Sequence, residues 1–400
     1  MRPNGGTDQA ARSPLRQIPR SVWALGFVSL FMDVSSEMIH SLLPIYLVSA
    51  LGASALTVGF IEGIAEATAN ITKVFSGALS DWMRRRKRLA VIGYGLAAFT
   101  KPVFAIAQTI PPVVGARFLD RVGKGIRGAP RDALVADITP AHLRGASFGL
   151  RQSLDTMGAF LGPLAAIALM ALTANAFRTV FWFACIPAFI ALALLVVGVH
   201  EPARHDAHAK PAPRFADMAR LGIPFWRVVA VASVLTLARF SEAFLVLRAQ
   251  DVGLRTALVP LTLVAMNVAY AASAYPAGAL ADRRGRRDVL LLGFAFLIGA
   301  DLLLALIPTV AGTMVGAALW GLHMGFTQGL FAALVADTAP AELRGSAFGV
   351  FNLAVGLAML AASVLAGALW SSYGPPATFL AGATFTTIAL LGVGIAGRAR

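Results

Sequence analysis

Asp33, Glu37 and His40 stand at i, i+4 and i+7 in the stretch DVSSEMIH, on one face of a helix inside an otherwise apolar run. Glu62, Glu66 and Lys73 gather in the next apolar run with Asn70 beside them. A third run carries Arg117, Asp120, Arg121, Lys124 and Arg127. Two chemistries suit these residues. A carboxyl group that alternates between a dry setting and the neighbourhood of an Arg can take up and release a proton, because desolvation favours the acid and a guanidinium favours the anion. Alternatively, the carboxylates and imidazole of the first run supply oxygen and nitrogen ligands suited to nickel or zinc.

The elements that must position these groups are membrane helices. The chain is 58% hydrophobic and 14% charged, against about 25% charged in soluble proteins. Apolar runs of about 20 residues, each long enough to cross a bilayer, recur from Val22 to Ala396. They lack the alternation of strands, so the backbone must satisfy its hydrogen bonds as helices. Twelve spans are expected, at 21–48, 55–80, 88–108, 112–136, 143–172, 176–199, 224–248, 256–280, 288–308, 311–337, 344–371 and 374–397. The first holds three polar ionisable residues and no small-residue cleavage site, so it reads as a span and not a signal peptide. Asp33, Glu37, Glu62, Glu66, Asp120, Asp155, Glu242 and Asp301 all fall inside spans. Each costs about 2.5–3.5 kcal/mol at mid-bilayer and therefore needs a partner, water or a task. At about 1.5 Å per residue, Glu37, Glu66 and Arg121 lie in one layer on three helices. Asp33, Glu37, Glu66, Arg121 and Asp155 are thus the proton-coupling candidates.

Basic residues orient the chain. Arg2 to Arg20, Arg84 to Arg88, Arg204 to Arg220 and Arg283 to Arg287 crowd the loops on the side of the two termini, whereas the opposite loops hold only Arg178, Arg248 and Arg255. That asymmetry predicts cytoplasmic N- and C-termini in an inner membrane. The net charge of +14 is spread over loops facing anionic lipid, which argues against nucleic-acid binding. The single cysteine, Cys185, excludes an internal disulfide. No Gly-rich loop ends in Lys and Ser/Thr with nucleotide-binding spacing, so ATP is not the expected energy source. The expected organisation is an N-terminal tail (1–20), a first six-helix bundle (21–200), a linker (201–223), a second bundle (224–397) and a short end (398–400). The linker holds Pro202, Pro211 and Pro213 with His205 and His208, which fit a solvated connector better than a metal site.

The two halves repeat. DALVADITPAHLRGASFGL from Asp132 returns as AALVADTAPAELRGSAFGV from Ala332, each bridging the fourth and fifth spans of its half. GALSDWMRRRKRL from Gly77 returns as GALADRRGRRDVL from Gly278, and Ser36-Glu37 is echoed by Ser241-Glu242. Parallel repeats of this kind are related by an axis along the membrane normal. Asp137 and Arg144, and likewise Asp337 and Arg344, are seven apart across a short loop. The doubled phrase thus marks a duplicated gate.

Gly278 to Arg287 resembles the loop signature of the major facilitator superfamily at every position, and Gly77 to Arg86 resembles it with Trp82 and Arg84 in place of its Arg and Gly. The resemblance covers the whole chain. It implies an all-α fold of twelve transmembrane helices in two pseudo-symmetric six-helix bundles. It further implies an inner-mouth gate built from Gly77, Asp81, Arg85, Asp137 and Arg144 in one half and Gly278, Asp282, Arg286, Asp337 and Arg344 in the other. Asp81 would cap the span beginning near Arg344, and Asp282 the one beginning near Arg144, since a carboxylate suits a helix N-terminus. Arg121 to Ala129 is similar to a fourth-span signature of the family's proton-coupled exporters, with Lys124 and Arg127 replacing Gln and Gly. Gly158, Gly162 and Pro163 resemble the fifth-span signature of its antiporters, which continues to a Gly pair that here is Ala165-Ala166.

His40, Glu62, Asn70, Lys124, Gln152, Arg239, Glu242, Asn267, Trp320, His323, Gln328 and Asn352 are the expected walls of a polar substrate cavity. Arg239 and Glu242, three apart, are placed to neutralise each other on a helix. The expected protein is a monomeric alternating-access transporter, not an enzyme, with no cofactor. It would export a small organic solute in exchange for protons, drawing on the proton gradient. Two alternatives stand beside it: a divalent-metal efflux permease using the Asp33–Glu37–His40 face, and a transport-inactive receptor or assembly factor.

Overall fold

The computed structural model describes residues 17–83, 85–201, 221–340 and 343–396. The side chains of 77–83, 141, 282, 284, 332–333, 344–346 and 393–396 lie outside that description, as do most of the expected linker and both chain ends. Among the described residues every regular element is helical. The helices are α1 (Arg20–His40), α2 (Ala55–Met83), α3 (Arg86–Ile106), α4 (Ile110–Ile138), α5 (Arg144–Leu172), α6 (Phe177–Gly198), α7 (Ile223–Ala238), α8 (Ala243–Asp251), α9 (Leu261–Arg284), α10 (Arg286–Leu306), α11 (Val310–Thr338), α12 (Arg344–Tyr373) and α13 (Pro375–Ala396).

Two six-helix bundles result, and they pack alike. In the first, α1 lies against α5 and α6, α4 against α2 and α3, and α3 against α6. In the second, α7 lies against α12 and α13, α11 against α9 and α10, and α10 against α13. The bundles meet along α2–α12 and, less extensively, α5–α9. Ten described segments are long and apolar enough to cross a membrane. The two remaining helices of spanning length are α2 and α4, each 29 residues. Their shortfall in hydropathy comes from the charges identified above, so the helices least like membrane spans are those that build the site.

Two spans depart from the continuous helices expected. The first breaks after His40, and a short turn at Leu43–Ile45 leads into a π-helical turn at Tyr46–Ala50. Pro44 explains this, because it has no N–H to offer the carbonyl of His40. The seventh span breaks between α7 and α8, at residues 239–242, where neither Pro nor Gly occurs. Side chains take up the freed backbone groups: Ser241 N–H donates to Ser363 Oγ of α12 at 3.3 Å, and Ala243 N–H donates to Ser241 Oγ at 3.2 Å. A broken helix survives at membrane depth only where such partners exist.

The bundles close on the face away from the Arg-rich loops. Gln250 Nε2 donates to Ser49 Oγ at 2.7 Å, and Leu56 N–H donates to Ser371 Oγ at 3.2 Å. There α8 also packs on the Leu43–Ile45 turn, and the 3-10 turn Thr256–Leu258 packs on α5.

Candidate functional site

Below the two breaks, α1, α2, α3 and α4 carry a linked set of charges. Arg117 Nη2 donates to Glu62 Oε2 at 2.6 Å, and the same nitrogen meets His40 Nδ1 at 2.6 Å. One turn further along α4, Arg121 pairs with Glu66 at 3.4 Å and lies 3.4 Å from His40 Nδ1. Lys101 of α3 pairs with Asp120 at 2.9 Å and donates to Ser36 Oγ of α1 at 3.2 Å. Arg127 lies 4.8 Å above the ring of Tyr94. Glu62, Arg117, Asp120, Arg121 and Lys101 are buried, whereas the Glu66 side chain remains 31% exposed. Buried pairs of this kind fix helix register at a desolvation cost. The exposed member of the set is the one free to change partners.

α5 approaches α1 at its two acids. A Cβ at Gly158 would lie 2.9 Å from Cβ of Asp33, and one at Gly162 would lie 2.6 Å from Cβ of Glu37. The glycines of the fifth-span signature therefore bring its backbone against Asp33 and Glu37. This contact puts the Asp33 and Asp155 carboxyls within hydrogen-bonding reach of each other. Two carboxyls share a hydrogen bond only when one is protonated, because an ionised carboxylate only accepts. Arg131 and Arg151 each come to 3.6 Å from Asp155, and both also reach Asp132. A second carboxyl and two guanidiniums thus meet at Asp155.

The second bundle contributes at the α7–α8 break. Arg239 and Glu242 are half-buried there. Among the described residues no ion pair joins them, because the helix that would have aligned them is unwound. Glu242 feels Arg239 without pairing to it, and also Glu37, Glu66 and Lys124 of the first bundle. Lys124 is exposed and also acts electrostatically on Asp33, Glu37, Glu66 and Asp155. The charges of both bundles therefore converge on one vestibule.

Several expected cavity residues sit elsewhere. Glu62 is fully buried by its pairing with Arg117, and His40 is buried between two guanidiniums. Trp320 and His323 are fully buried within the second bundle, where His323 Nδ1 meets Gly293 O at 2.9 Å. Asn70 bonds its own helix at Glu66 O and abuts Gly356 on the α2–α12 seam. Gln152 is exposed and accepts from Arg151 at 2.7 Å, while Asn267, Gln328 and Asn352 are half-buried. The metal reading loses its ligand set: His40 Nδ1 is taken by Arg117, and the described residues hold no cluster of three or more metal-ligating side chains. Lys101, Arg131 and Arg151 were missed in sequence. The signal was present, since a cation inside an apolar run bears the same insertion cost as an acid.

The gate differs from expectation in register. Arg86 Nη1 pairs with Asp137 at 2.6 Å, and Arg286 Nη1 pairs with Asp337. These are equivalent contacts, from the first residue of α3 or α10 to the end of α4 or α11. The first-half partner is thus Arg86, where the motif alignment places Arg85, which is exposed. Gly285, at φ +91°, lets α9 turn into α10 through one residue, whereas α2 ends at Met83 and α3 starts three residues later, at Arg86. Without the glycine the first-half turn is longer, and the Arg register slips by one. Glu201 reinforces this end of α3, accepting from the backbone N–H of Arg86 at 2.7 Å. Arg144 is exposed, Gly278 is open to its surroundings, and the side chains of Asp81, Asp282 and Arg344, with the surroundings of Gly77, lie outside the described residues.

Known proteins share this architecture. An uncharacterised MFS-type transporter of Methanocaldococcus jannaschii is 31% identical over 385 residues, which is 93% of this chain and 94% of that protein. The quinolone resistance protein NorA of Staphylococcus aureus is 23% identical over 220 residues, 54% of each chain. Among solved structures, the nucleoside transporter NupG matches with a TM-score of 0.73 at 14% identity, covering 94% of this chain and 98% of that one. The family model described as Major Facilitator Superfamily matches residues 25–249 and 229–398. Matched on both sides of its linker and by a relative along nearly its full length, this chain belongs to the Major Facilitator Superfamily.

Proposed function

We propose that the protein is a proton-coupled exporter of a small organic solute, working as a monomer in the inner membrane with both termini in the cytoplasm and no cofactor beyond the proton gradient. Membership of the superfamily makes it a multi-pass membrane transporter and not an enzyme. The finer reading is supported by the Asp33–Asp155 contact at the vestibule, where two carboxyls within hydrogen-bonding reach would share a proton that Arg131 and Arg151, drawn closer to Asp155, would displace. Substrate entry that shifts these guanidiniums would release the proton, and protonation would release the substrate. The likeness to a quinolone resistance protein supports export, and the Arg-rich loops support the orientation.

The test is transport in proteoliposomes under an imposed pH gradient, with a panel of fluoroquinolones, other organic cations and acids, and divalent metals. The parent should accumulate an organic solute against its gradient. Asp33→Asn and Asp155→Asn should lose that uphill transport by at least tenfold while keeping downhill exchange of the same solute. If both variants still concentrate solute as the parent does, proton coupling does not run through this pair.

A further inference from the structure

Asp301 has no place in the mechanism above, yet it is a buried acid without a partner. It is fully buried, and neither carboxyl oxygen has a hydrogen-bond partner. Its position has a counterpart. Asp301 is the sixteenth residue of α10, and Lys101 is the sixteenth of α3; Trp320 and Asp120 are each the eleventh residue of α11 and α4. Where the first bundle has the Lys101–Asp120 ion pair, the second has a carboxyl and a tryptophan at the equivalent positions, and the tryptophan Nε1 is also buried without a partner. The first bundle balances its charges at this site, and the second does not.

The surroundings of Asp301 join it to the broken span. Gly382 of α13 packs against it: a Cβ there would lie 2.7 Å from Asp301 Oδ2 and 3.2 Å from the carbonyl oxygen of Ala238. Ala238 is the last residue of α7, so that carbonyl belongs to the negative end of a half-helix. Phe240, inside the break, packs at a tilt against both Trp320 and Phe379, at ring distances of 5.4 and 5.7 Å. The described part of α13 carries no ionisable side chain, and α11 offers only neutral Trp320 and, one turn on, His323 held by Gly293. At the break, Arg239 and Glu242 act on each other, on Glu66, Glu37 and Lys124 across the vestibule and, for Arg239, on His323, but not on Asp301. Arg248 of α8 donates to the carbonyl of Leu304, one turn along α10, and pairs with Asp251. The charges of α10 itself, from Arg286 to Asp288, lie at its far end, roughly 20 Å away at 1.5 Å per residue.

We propose that Asp301 is a second proton-binding site, in the C-terminal bundle, whose occupancy sets the break between α7 and α8. The protonated carboxyl is a neutral donor facing the carbonyl end of α7. The ionised form would place a bare negative charge against that same negative end in an apolar pocket, and α7 would have to swing away or admit water. This inference deepens the proton-coupled reading, since α7–α8 carries Arg239 and Glu242 into the vestibule.

Infrared difference spectroscopy of the purified protein in lipid, parent against Asp301→Asn at neutral pH, reads the site without any transport assay. The band of a protonated carboxyl should be present in the parent and reduced by one group in the variant, and Gly382→Ala should shift it. An unchanged band in Asp301→Asn overturns the proposal. So does thermal stabilisation of the parent by sodium that disappears in Asp301→Asn, because the site would then hold a metal cation on an ionised carboxylate. In proteoliposomes Asp301→Asn should keep downhill exchange and lose the parent's dependence of transport on pH. Loss of the band with an unaltered pH profile would leave a buried acid with no role in coupling, and would also reject the proposal.

Discussion

Lys101 shows how a single residue holds this site in place. Its ammonium is buried, pairs with Asp120 and reaches Ser36, so it ties α3, α4 and α1 together beneath the vestibule. Among the described residues the one other ion pair of Asp120 is with Arg121 at 4.0 Å, which also serves Glu66. Lys101→Met should therefore leave a buried carboxylate short of its partner and destabilise the protein by about 3–5 kcal/mol. The check is the melting temperature of the purified protein in detergent. Lys101→Met/Asp120→Leu should recover most of the loss, since replacing both ions with apolar side chains removes the uncompensated charge. A double variant no more stable than the single one would show that the pair has a further role. Arg86 makes a related point about legibility. The doubled loop announced a gate Arg in the sequence, but its register depended on whether a glycine shortened the turn, and that decided between Arg85 and Arg86.

At the level of elements, the spans were legible because an apolar run of membrane length has few alternatives to a helix. The breaks were less so. Pro44 marks the first, but nothing local marks the second, whose backbone groups are satisfied by Ser241 and by Ser363 from another helix. Such a break is written in tertiary contacts, which no single stretch displays. The fifth-span glycines lie between these cases. Their spacing was visible, but the acids they admit were not, because Gly158 and Gly162 meet Asp33 and Glu37 across more than 120 residues of chain. Gly162→Ala should force α5 off α1, since the new Cβ would also lie 2.9 Å from the backbone oxygen of Val34. Overpacking of this kind costs about 1–3 kcal/mol, and proton-driven transport should fall more than downhill exchange because the Asp33–Asp155 contact is what moves. Gly149→Ala, on the same helix where a Cβ meets nothing, is the control. Equal losses in both variants of α5 would mean that helix flexibility, and not the close approach, matters.

Across the whole molecule, the same packing occurs twice with different chemistry inside it. The first bundle is stitched by ion pairs at the level where the second has Asp301, Trp320 and an aromatic cluster. Each bundle thus has one broken span, lined by ion pairs in the first and by an acid and aromatic rings in the second. The outer halves of the two broken spans meet on the face away from the Arg-rich loops, at Ser49 and Gln250. The side chains of Glu66 and Asp155 nevertheless keep part of their surface exposed. Alternating access requires the Ser49–Gln250 contact to part in every cycle. In a background lacking the native cysteine (Cys185→Ser), Ser49→Cys/Gln250→Cys joined by a short bismaleimide should abolish transport. Gln152→Cys, added to that protein, should still react with a membrane-impermeant maleimide from the Arg-rich side as fast as before bridging. Transport that survives complete bridging would mean that this face does not open along the seam between the two broken spans. The path for solute would then have to run elsewhere, past α2–α12 or α5–α9, where the bundles also meet.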